Sequence, residues 1–130
     1  MSGPVVVVLA AGRGSRFRGL EHKLAQSLGT SSVLGTTLSQ VLASGLPIVV
    51  VATAALADIA RSSIATRDIV VLPNADATGP QSLGMGYSIA CGVSARPDAS
   101  GWLILPGDMP LVKPRTLQAV ARDLRDHAVA

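Results

Sequence analysis

The chain has 130 residues, with 11 Lys and Arg against 8 Asp and Glu, a net charge of +3 and one cysteine, Cys91. This size suits a single domain with its own core, and a lone cysteine excludes an internal disulfide and fits a reducing cytoplasm. The aromatic residues are few (Phe17, Tyr87 and Trp102), which disfavours a nucleic-acid surface built on stacking. No segment approaches the roughly 18 apolar residues of a membrane span, so no membrane partner is expected.

The first predicted element is a strand over Val5–Leu9, whose unbroken β-branched run is typical of a buried strand in a parallel sheet. Small residues follow it: Ala10, Ala11, Gly12 and Gly14. Four cations lie in the same segment, with Glu21 as the single carboxylate: Arg13, Arg16, Arg18 and Lys23. Small residues let an anion approach the backbone N–H groups, and the cations neutralise it. The segment is therefore predicted to hold a polyphosphate, the alternative being a basic surface loop.

Two common phosphate motifs do not fit this segment. A Walker A loop requires Gly-Lys-Ser or Gly-Lys-Thr, which the chain lacks. The dinucleotide fingerprint begins at Gly12 and Gly14 but has Phe17 in place of its third glycine. No acidic residue stands near position 35 to bind a ribose, so a dinucleotide fold of the Rossmann type is poorly supported.

The chain then alternates between helix and strand signals. Residues 24–28 are predicted to be a short connection, and Gly29–Ser32 provides hydroxyl groups suited to a helix N-cap. The apolar residues of this helix recur at helical spacing up to Gly45, a C-terminal glycine: Val33, Leu34, Leu38, Val41 and Leu42. The next predicted elements are a strand over Pro47–Ala52, a helix over Ala55–Ala65 and a strand over Ile69–Leu72. This β-α-β-α-β order predicts a parallel sheet with helices on both faces.

Residues 73–86 form the longest stretch without a regular pattern, and they follow the carboxyl end of a predicted strand. Ligands in open α/β sheets bind outside those ends, so Asn74, Asp76, Gly79 and the glycines at positions 84 and 86 are expected at the same rim as the Gly12 loop. The alternative is a simple connector.

Asp108 comes directly after the fourth predicted strand, Trp102–Leu105. A carboxylate at a strand end facing a polyphosphate loop suits Mg²⁺, which takes oxygen ligands and bridges to substrate phosphates. The alternative is a turn aspartate that bonds its own backbone. Pro114 is predicted to begin a last helix, whose apolar face carries Leu117, Val120, Ala121 and Leu124.

Three segments, in order, resemble motifs of the molybdenum cofactor nucleotidyltransferases. Residues 9–23 are similar to L-A-A-G-x-G-x-R…K, residues 84–89 to G-M-x-x-S-L, and residues 105–112 to L-G-D-x-P-L-V. The resemblance covers the chain to about Leu124. It implies a three-layer α/β/α Rossmann-like nucleotidyltransferase fold over residues 1–130, with a mainly parallel sheet. It also implies that the family's C-terminal segment, which binds the acceptor and supplies a second metal ligand, is absent.

The resemblance further implies a role for individual residues. Arg16, Lys23 and Asp108 would be catalytic, with Asp108 as the Mg²⁺ ligand. The nucleotide would be bound by Leu9, Ala10, Ala11, Gly12, Arg13, Gly14, Lys23, Asn74 and Ser88, with Asp76 competing for the position of Asn74.

In the family, Ala-Ala-Gly at the start of the loop goes with CTP, and Ala-Gly-Gly goes with GTP. The resemblance thus implies CMP transfer from CTP to molybdopterin, with a molybdoenzyme as a further partner. Two alternatives remain: a cytidylyltransferase acting on a sugar or polyol phosphate, and a non-catalytic nucleotide-binding module.

Overall fold

The protein was analysed as a computed structural model, which describes residues 3–10, 27–28, 31–72, 84–109 and 111–126. The main sheet consists of β1 (Pro4–Ala10), β4 (Ile48–Ala52), β5 (Ile69–Val71) and β6 (Gly101–Pro106). Its order is β5, β4, β1, β6, and every pairing is parallel. A short antiparallel pair is formed by β2 (Ser27–Leu28) and β3 (Ser31–Ser32).

The described helices cover both faces of the main sheet. They are α1 (Val33–Ser44), α2 (Ala54–Ala60), α3 (Gly84–Ala95) and α4 (Pro114–Asp126). Alternate side chains of β1 enter two separate clusters: Val6 and Val8 pack with α1, α2 and α4, whereas Val5 and Val7 pack with α3. The predicted three-layer α/β/α architecture with a parallel sheet is confirmed. Because both faces of β1 are buried in apolar clusters, its sequence is apolar at every position and does not alternate with polar residues.

The two ends of α1 are defined by local hydrogen bonds. The Ser32 side chain accepts a hydrogen bond of 2.9 Å from the Gly35 N–H, which satisfies one of the unpaired donors of the first turn. At the other end Gly45 adopts a φ of 77°, and its N–H donates to the Leu42 carbonyl at 3.1 Å. This left-handed conformation favours glycine. Both predicted helix ends are confirmed.

The amino ends of β5 and β6 are joined by polar contacts. Arg96 forms an ion pair with Asp68, just before β5. The Trp102 Nε1 in β6 donates a hydrogen bond of 3.1 Å to the Arg96 carbonyl. These bonds connect the start of the two outer strands at the amino edge of the sheet.

Some predicted boundaries were wrong. The helix predicted over Ala55–Ala65 is α2, which ends at Ala60 and is followed by turns and a short 3₁₀ helix, Thr66–Asp68. The connection predicted over residues 24–28 contains β2 at its end. This strand was missed because two residues are too few to show an alternating apolar pattern. On the predicted apolar faces, Leu42 of α1 and Val120 of α4 are 45% and 37% exposed, because each lies at the margin of its face.

None of the described helices is long and apolar enough to span a membrane.

Gly92 marks a close approach of α3 to the sheet. A Cβ atom at this position would overlap Cγ1 of Val7 and lie 3.1 Å from Cγ2 of Val51. Both valines are fully buried. A methyl group at this position therefore cannot be accommodated without moving the helix or the strands.

We expect Gly92→Ala to lower the free energy of unfolding by about 1–3 kcal/mol, the usual cost of overpacking, although alanine gains about 1 kcal/mol in helix propensity. Ser94→Ala, at an exposed position of the same helix, is the control and should change stability by less than about 0.5 kcal/mol. Urea unfolding of the three chains measures both values. An alanine variant as stable as the wild type would contradict the close packing of α3 on Val7 and Val51.

Candidate active site at the carboxyl edge of the sheet

The carboxyl ends of β1 and β6 lie side by side. Leu9 pairs with Pro106 in the parallel register, and β1 ends one residue later at Ala10. The predicted polyphosphate segment thus begins within β1, at Ala10, and continues beyond the strand from Ala11. Asp108 follows β6 at the same edge. The fold therefore brings Ala10, which precedes the basic segment in the chain, and the predicted metal ligand to one rim, where ligands of open α/β sheets bind.

Leu9 and Ala10 are the last two residues of β1, and both side chains are buried in the core. The Leu9 carbonyl accepts a hydrogen bond of 2.9 Å from the Gly107 N–H. This bond extends the pairing of β1 and β6 by one residue past Pro106. Because the side chains of Leu9 and Ala10 face the core, a nucleotide would contact these two residues through the backbone.

Gly107 also makes a second hydrogen bond, through its carbonyl group. Its carbonyl accepts a hydrogen bond of 2.8 Å from the Thr37 hydroxyl of α1. Gly107 and Thr37 are both buried. A buried carbonyl costs free energy unless a donor reaches it, so this contact stabilises the turn after β6.

Asp108 is half-buried and directly follows this doubly bonded glycine. Further along the chain, the Val112 N–H donates to the Met109 carbonyl at 3.2 Å. Within the described ranges, no group of three or more His, Cys, Asp and Glu side chains is placed to hold a metal ion. A single carboxylate at the rim nevertheless suits Mg²⁺, which keeps several waters and bridges one or two carboxylates to substrate phosphates. Asp108 is the described residue that would hold such an ion.

The remaining predicted site residues cannot be compared with the structure in the same way. Nine of them lie outside the described residues: Ala11, Gly12, Arg13, Gly14, Arg16, Lys23, Asn74, Asp76 and Gly79. Ser88 is the fifth residue of α3, which begins at Gly84, so residues 84–86 are helical although they were predicted to have no regular pattern.

Thr37 is the part of this site that the sequence analysis missed. It falls on the apolar face of α1, three residues after Leu34 and four before Val41, and all three are fully buried. A threonine at such a position needs a hydrogen-bond partner for its hydroxyl group. That spacing was readable from the sequence, whereas the partner, 70 residues away, was not.

Comparison with known proteins identifies the family. The MobA-like NTP transferase domain matches residues 6–130 of this chain. The chain belongs to this family. The nucleotidyltransferase assignment is thereby confirmed at the level of the domain, and the rim formed by the ends of β1 and β6 is the candidate active site of an NTP transferase domain.

Individual relatives agree with this assignment. The NTP transferase domain is 35% identical over 119 residues to the bifunctional protein GlmU of Halorhodospira halophila, covering 91% of this chain and 24% of that protein. A nucleotidyl transferase from Methanothermobacter thermautotroptrophicus has a TM-score of 0.65 and 32% identity, covering 94% of this chain and 58% of the other.

The crystal structure of Rv0371c from Mycobacterium tuberculosis H37Rv gives a TM-score of 0.65 at 26% identity, covering 92% of this chain and 59% of that one. The structure of a complex of the same protein with manganese has a TM-score of 0.62 to this chain. The chain thus spans about a quarter of the curated relative's length and under two thirds of each solved structure.

Proposed function

We propose that this NTP transferase domain binds an NTP with Mg²⁺ at the carboxyl edge of its sheet and transfers the nucleotidyl group to a phosphate acceptor. The observation that carries the proposal is the placement of Asp108. Its turn is hydrogen-bonded to the Leu9 carbonyl, and Leu9 directly precedes the Ala10-Ala11-Gly12 motif that leads into the segment with the cations. A carboxylate and a basic, glycine-containing loop at one rim are the two components that a metal-bound triphosphate requires.

The reaction needs no protein nucleophile. An oxygen of the acceptor phosphate attacks the α-phosphorus of the NTP, the bond to the oxygen that bridges to the β-phosphate breaks, and pyrophosphate leaves with that oxygen. The backbone N–H groups of the Gly12 loop, Arg16 and Lys23 would orient the triphosphate and neutralise its charge. Mg²⁺, held by Asp108, would supply further charge neutralisation on the phosphate oxygens. The manganese complex of Rv0371c supports a divalent ion in a protein of this fold.

The choice of CTP is proposed from Ala10-Ala11-Gly12. Asn74, or its competitor Asp76, would contact the base, and Ser88 would bind the nucleotide beside it. For the acceptor we propose molybdopterin, which would make the product a cytosine dinucleotide cofactor destined for a molybdoenzyme. These assignments depend on the motif resemblance alone. The alternative acceptor, another small phosphate such as a sugar or polyol phosphate, is supported by the similarity of this chain, over 91% of its length, to the GlmU of Halorhodospira halophila.

The first prediction concerns the base. At equal concentrations with Mg²⁺, CTP should raise the melting temperature more than GTP does, because a ligand that binds the native state stabilises it in proportion to its affinity. A tenfold preference corresponds to about 1.4 kcal/mol, which is a shift of several degrees for a domain of this size. Thermal unfolding with each nucleotide measures the difference. Equal shifts, or a larger one with GTP, would exclude the CTP assignment.

The second prediction concerns Lys23. Lys23→Ala should weaken CTP binding by about 1.5–3 kcal/mol, the range for a lost hydrogen bond to a charged group. Arg122→Ala removes an exposed cation from α4 and serves as the control for the change in net charge. Titration calorimetry should give the control the wild-type affinity. If Lys23→Ala also binds with that affinity, Lys23 is a surface residue without a role in the site.

The third prediction separates a metal ligand from a turn former. Asp108→Asn keeps the local backbone bonds of the turn but loses the charge that attracts a cation. The variant should therefore retain its stability and its metal-free CTP binding, and should lose the strengthening of CTP binding by Mg²⁺. Transfer activity should fall by at least about 100-fold, corresponding to about 2.7 kcal/mol or more.

Asp98→Asn is the matched control, because Asp98 is exposed and precedes β6 at the opposite edge of the sheet. Calorimetry of wild type and both variants, with Mg²⁺ and with chelator, gives the magnesium effect for each. An undiminished effect in Asp108→Asn would exclude Asp108 as the metal ligand. A turn former would instead leave Asp108→Asn silent and make Asp108→Ala less stable by about 0.5–1.5 kcal/mol.

A further inference from the structure

Thr37 makes two contacts through one hydroxyl group. Its Oγ1 lies 2.8 Å from the Gly107 carbonyl and 3.1 Å from the Val33 carbonyl of its own helix. The hydroxyl has one proton to donate. The Val33 carbonyl is four residues earlier in α1, where it accepts the helical N–H of Thr37. The Gly107 carbonyl is the closer of the two acceptors, and it lies outside any helix, so it has no helical N–H of its own. Both observations assign the hydroxyl proton of Thr37 to the Gly107 carbonyl.

The neighbouring Thr36 provides a contrast. Its Oγ1 donates to the Ser32 carbonyl at 2.9 Å, four residues earlier in the chain. Local bonds of this kind are common for threonine in helices and connect nothing outside the helix. Thr36 is half-buried, whereas Thr37 is fully buried and connects α1 to the end of β6. The Thr36 hydroxyl thus bonds within its own chain segment, whereas the Thr37 hydroxyl bonds to the turn after β6.

The peptide group between Gly107 and Asp108 is planar, so the Gly107 carbonyl and the Asp108 nitrogen and Cα lie in one plane. A bond to that carbonyl therefore restrains the atoms from which the Asp108 side chain extends. The Gly107 N–H is fixed separately, by the Leu9 carbonyl at 2.9 Å. The backbone on the amino side of Asp108 is consequently held by β1 and α1 together.

We propose that Thr37 is a positioning residue, whose hydroxyl fixes the Gly107–Asp108 peptide plane and through it the carboxylate that binds the metal. This inference depends on the proposed role of Asp108 as the Mg²⁺ ligand. Mg²⁺ demands near-ideal octahedral geometry, so a small rotation of its carboxylate ligand weakens binding. Groups that orient a metal ligand typically account for about 10–100-fold in metal affinity.

The test uses three variants of the whole chain. Thr37→Val has the same shape without the hydroxyl, Thr37→Ser retains the hydroxyl, and Thr36→Val removes the neighbouring hydroxyl that bonds only within α1. CTP binding is titrated at increasing Mg²⁺, and the Mg²⁺ concentration for half-maximal strengthening is compared. Thr37→Val should need about 10–100-fold more Mg²⁺. Thr37→Ser and Thr36→Val should stay within about twofold of wild type, and CTP affinity in chelator should be the same for all.

The outcomes separate this inference from the proposed function. If Asp108→Asn abolishes the magnesium effect while Thr37→Val behaves like wild type, the positioning role is wrong and the metal ligand stands. If Asp108→Asn leaves the magnesium effect intact, the metal-ligand role fails whatever Thr37→Val does. Equal losses in Thr37→Val and Thr37→Ser would show that packing, and not the hydroxyl, is responsible, which also overturns the inference.

A fourth variant keeps the test decisive if Thr37→Val does not fold. Thr37→Cys is close in volume to threonine, and its thiol is a weak hydrogen-bond donor. It should require a Mg²⁺ concentration between those of wild type and the expected value for Thr37→Val. A cysteine variant that responds to Mg²⁺ like wild type would contradict the positioning role.

Discussion

The two hydrogen bonds on Gly107 join the three elements on which the candidate site depends. Its N–H donates to the Leu9 carbonyl near the end of β1, and its carbonyl accepts from Thr37 of α1. Both bonds are made among buried residues, where an unpaired polar group is costly, so neither is readily exchanged for water. The residue that follows, Asp108, is the carboxylate at the rim. Its backbone is thereby fixed relative to the strand that leads into the basic loop.

The rest of the fold keeps these elements in register. β1 lies inside the sheet, between β4 and β6, and each of its faces enters a different hydrophobic cluster. Because both faces of β1 are apolar and Val5–Val8 are identical, these side chains do not by themselves specify its register, and the pairing with β6 extends to the bond between the Gly107 N–H and the Leu9 carbonyl. At the amino edge, the bonds of Arg96 hold the start of β5 and β6 together. The segments that carry most of the predicted ligand-binding residues follow β1 and β5 in the chain, after the carboxyl ends of these strands.

The features predicted correctly from the sequence have local signals. The run from Val5 to Leu9 has the composition of a doubly covered strand, and Ser32 and Gly45 carry the chemistry of helix ends. The end of α2 was missed because Arg, Ser and Ile continue past Ala60 without a glycine or proline to stop the pattern. The contact of Thr37 with Gly107 depends on where β6 pairs with β1, which no local pattern encodes. For the loop cations and Asn74, the sequence alone motivates the proposed roles.

Hydrogen–deuterium exchange with CTP and Mg²⁺ is the most direct test of nucleotide binding at this rim. Bound nucleotide should slow exchange in peptides that cover residues 8–26 and 105–109, because its phosphates would occupy the backbone N–H groups after β1 and restrain the turn after β6. Peptides covering residues 95–100, at the amino edge, should exchange as they do without ligand. Protection confined to the amino edge, or absent from both rim segments at a CTP concentration that saturates binding, would contradict nucleotide binding at the carboxyl edge of the sheet.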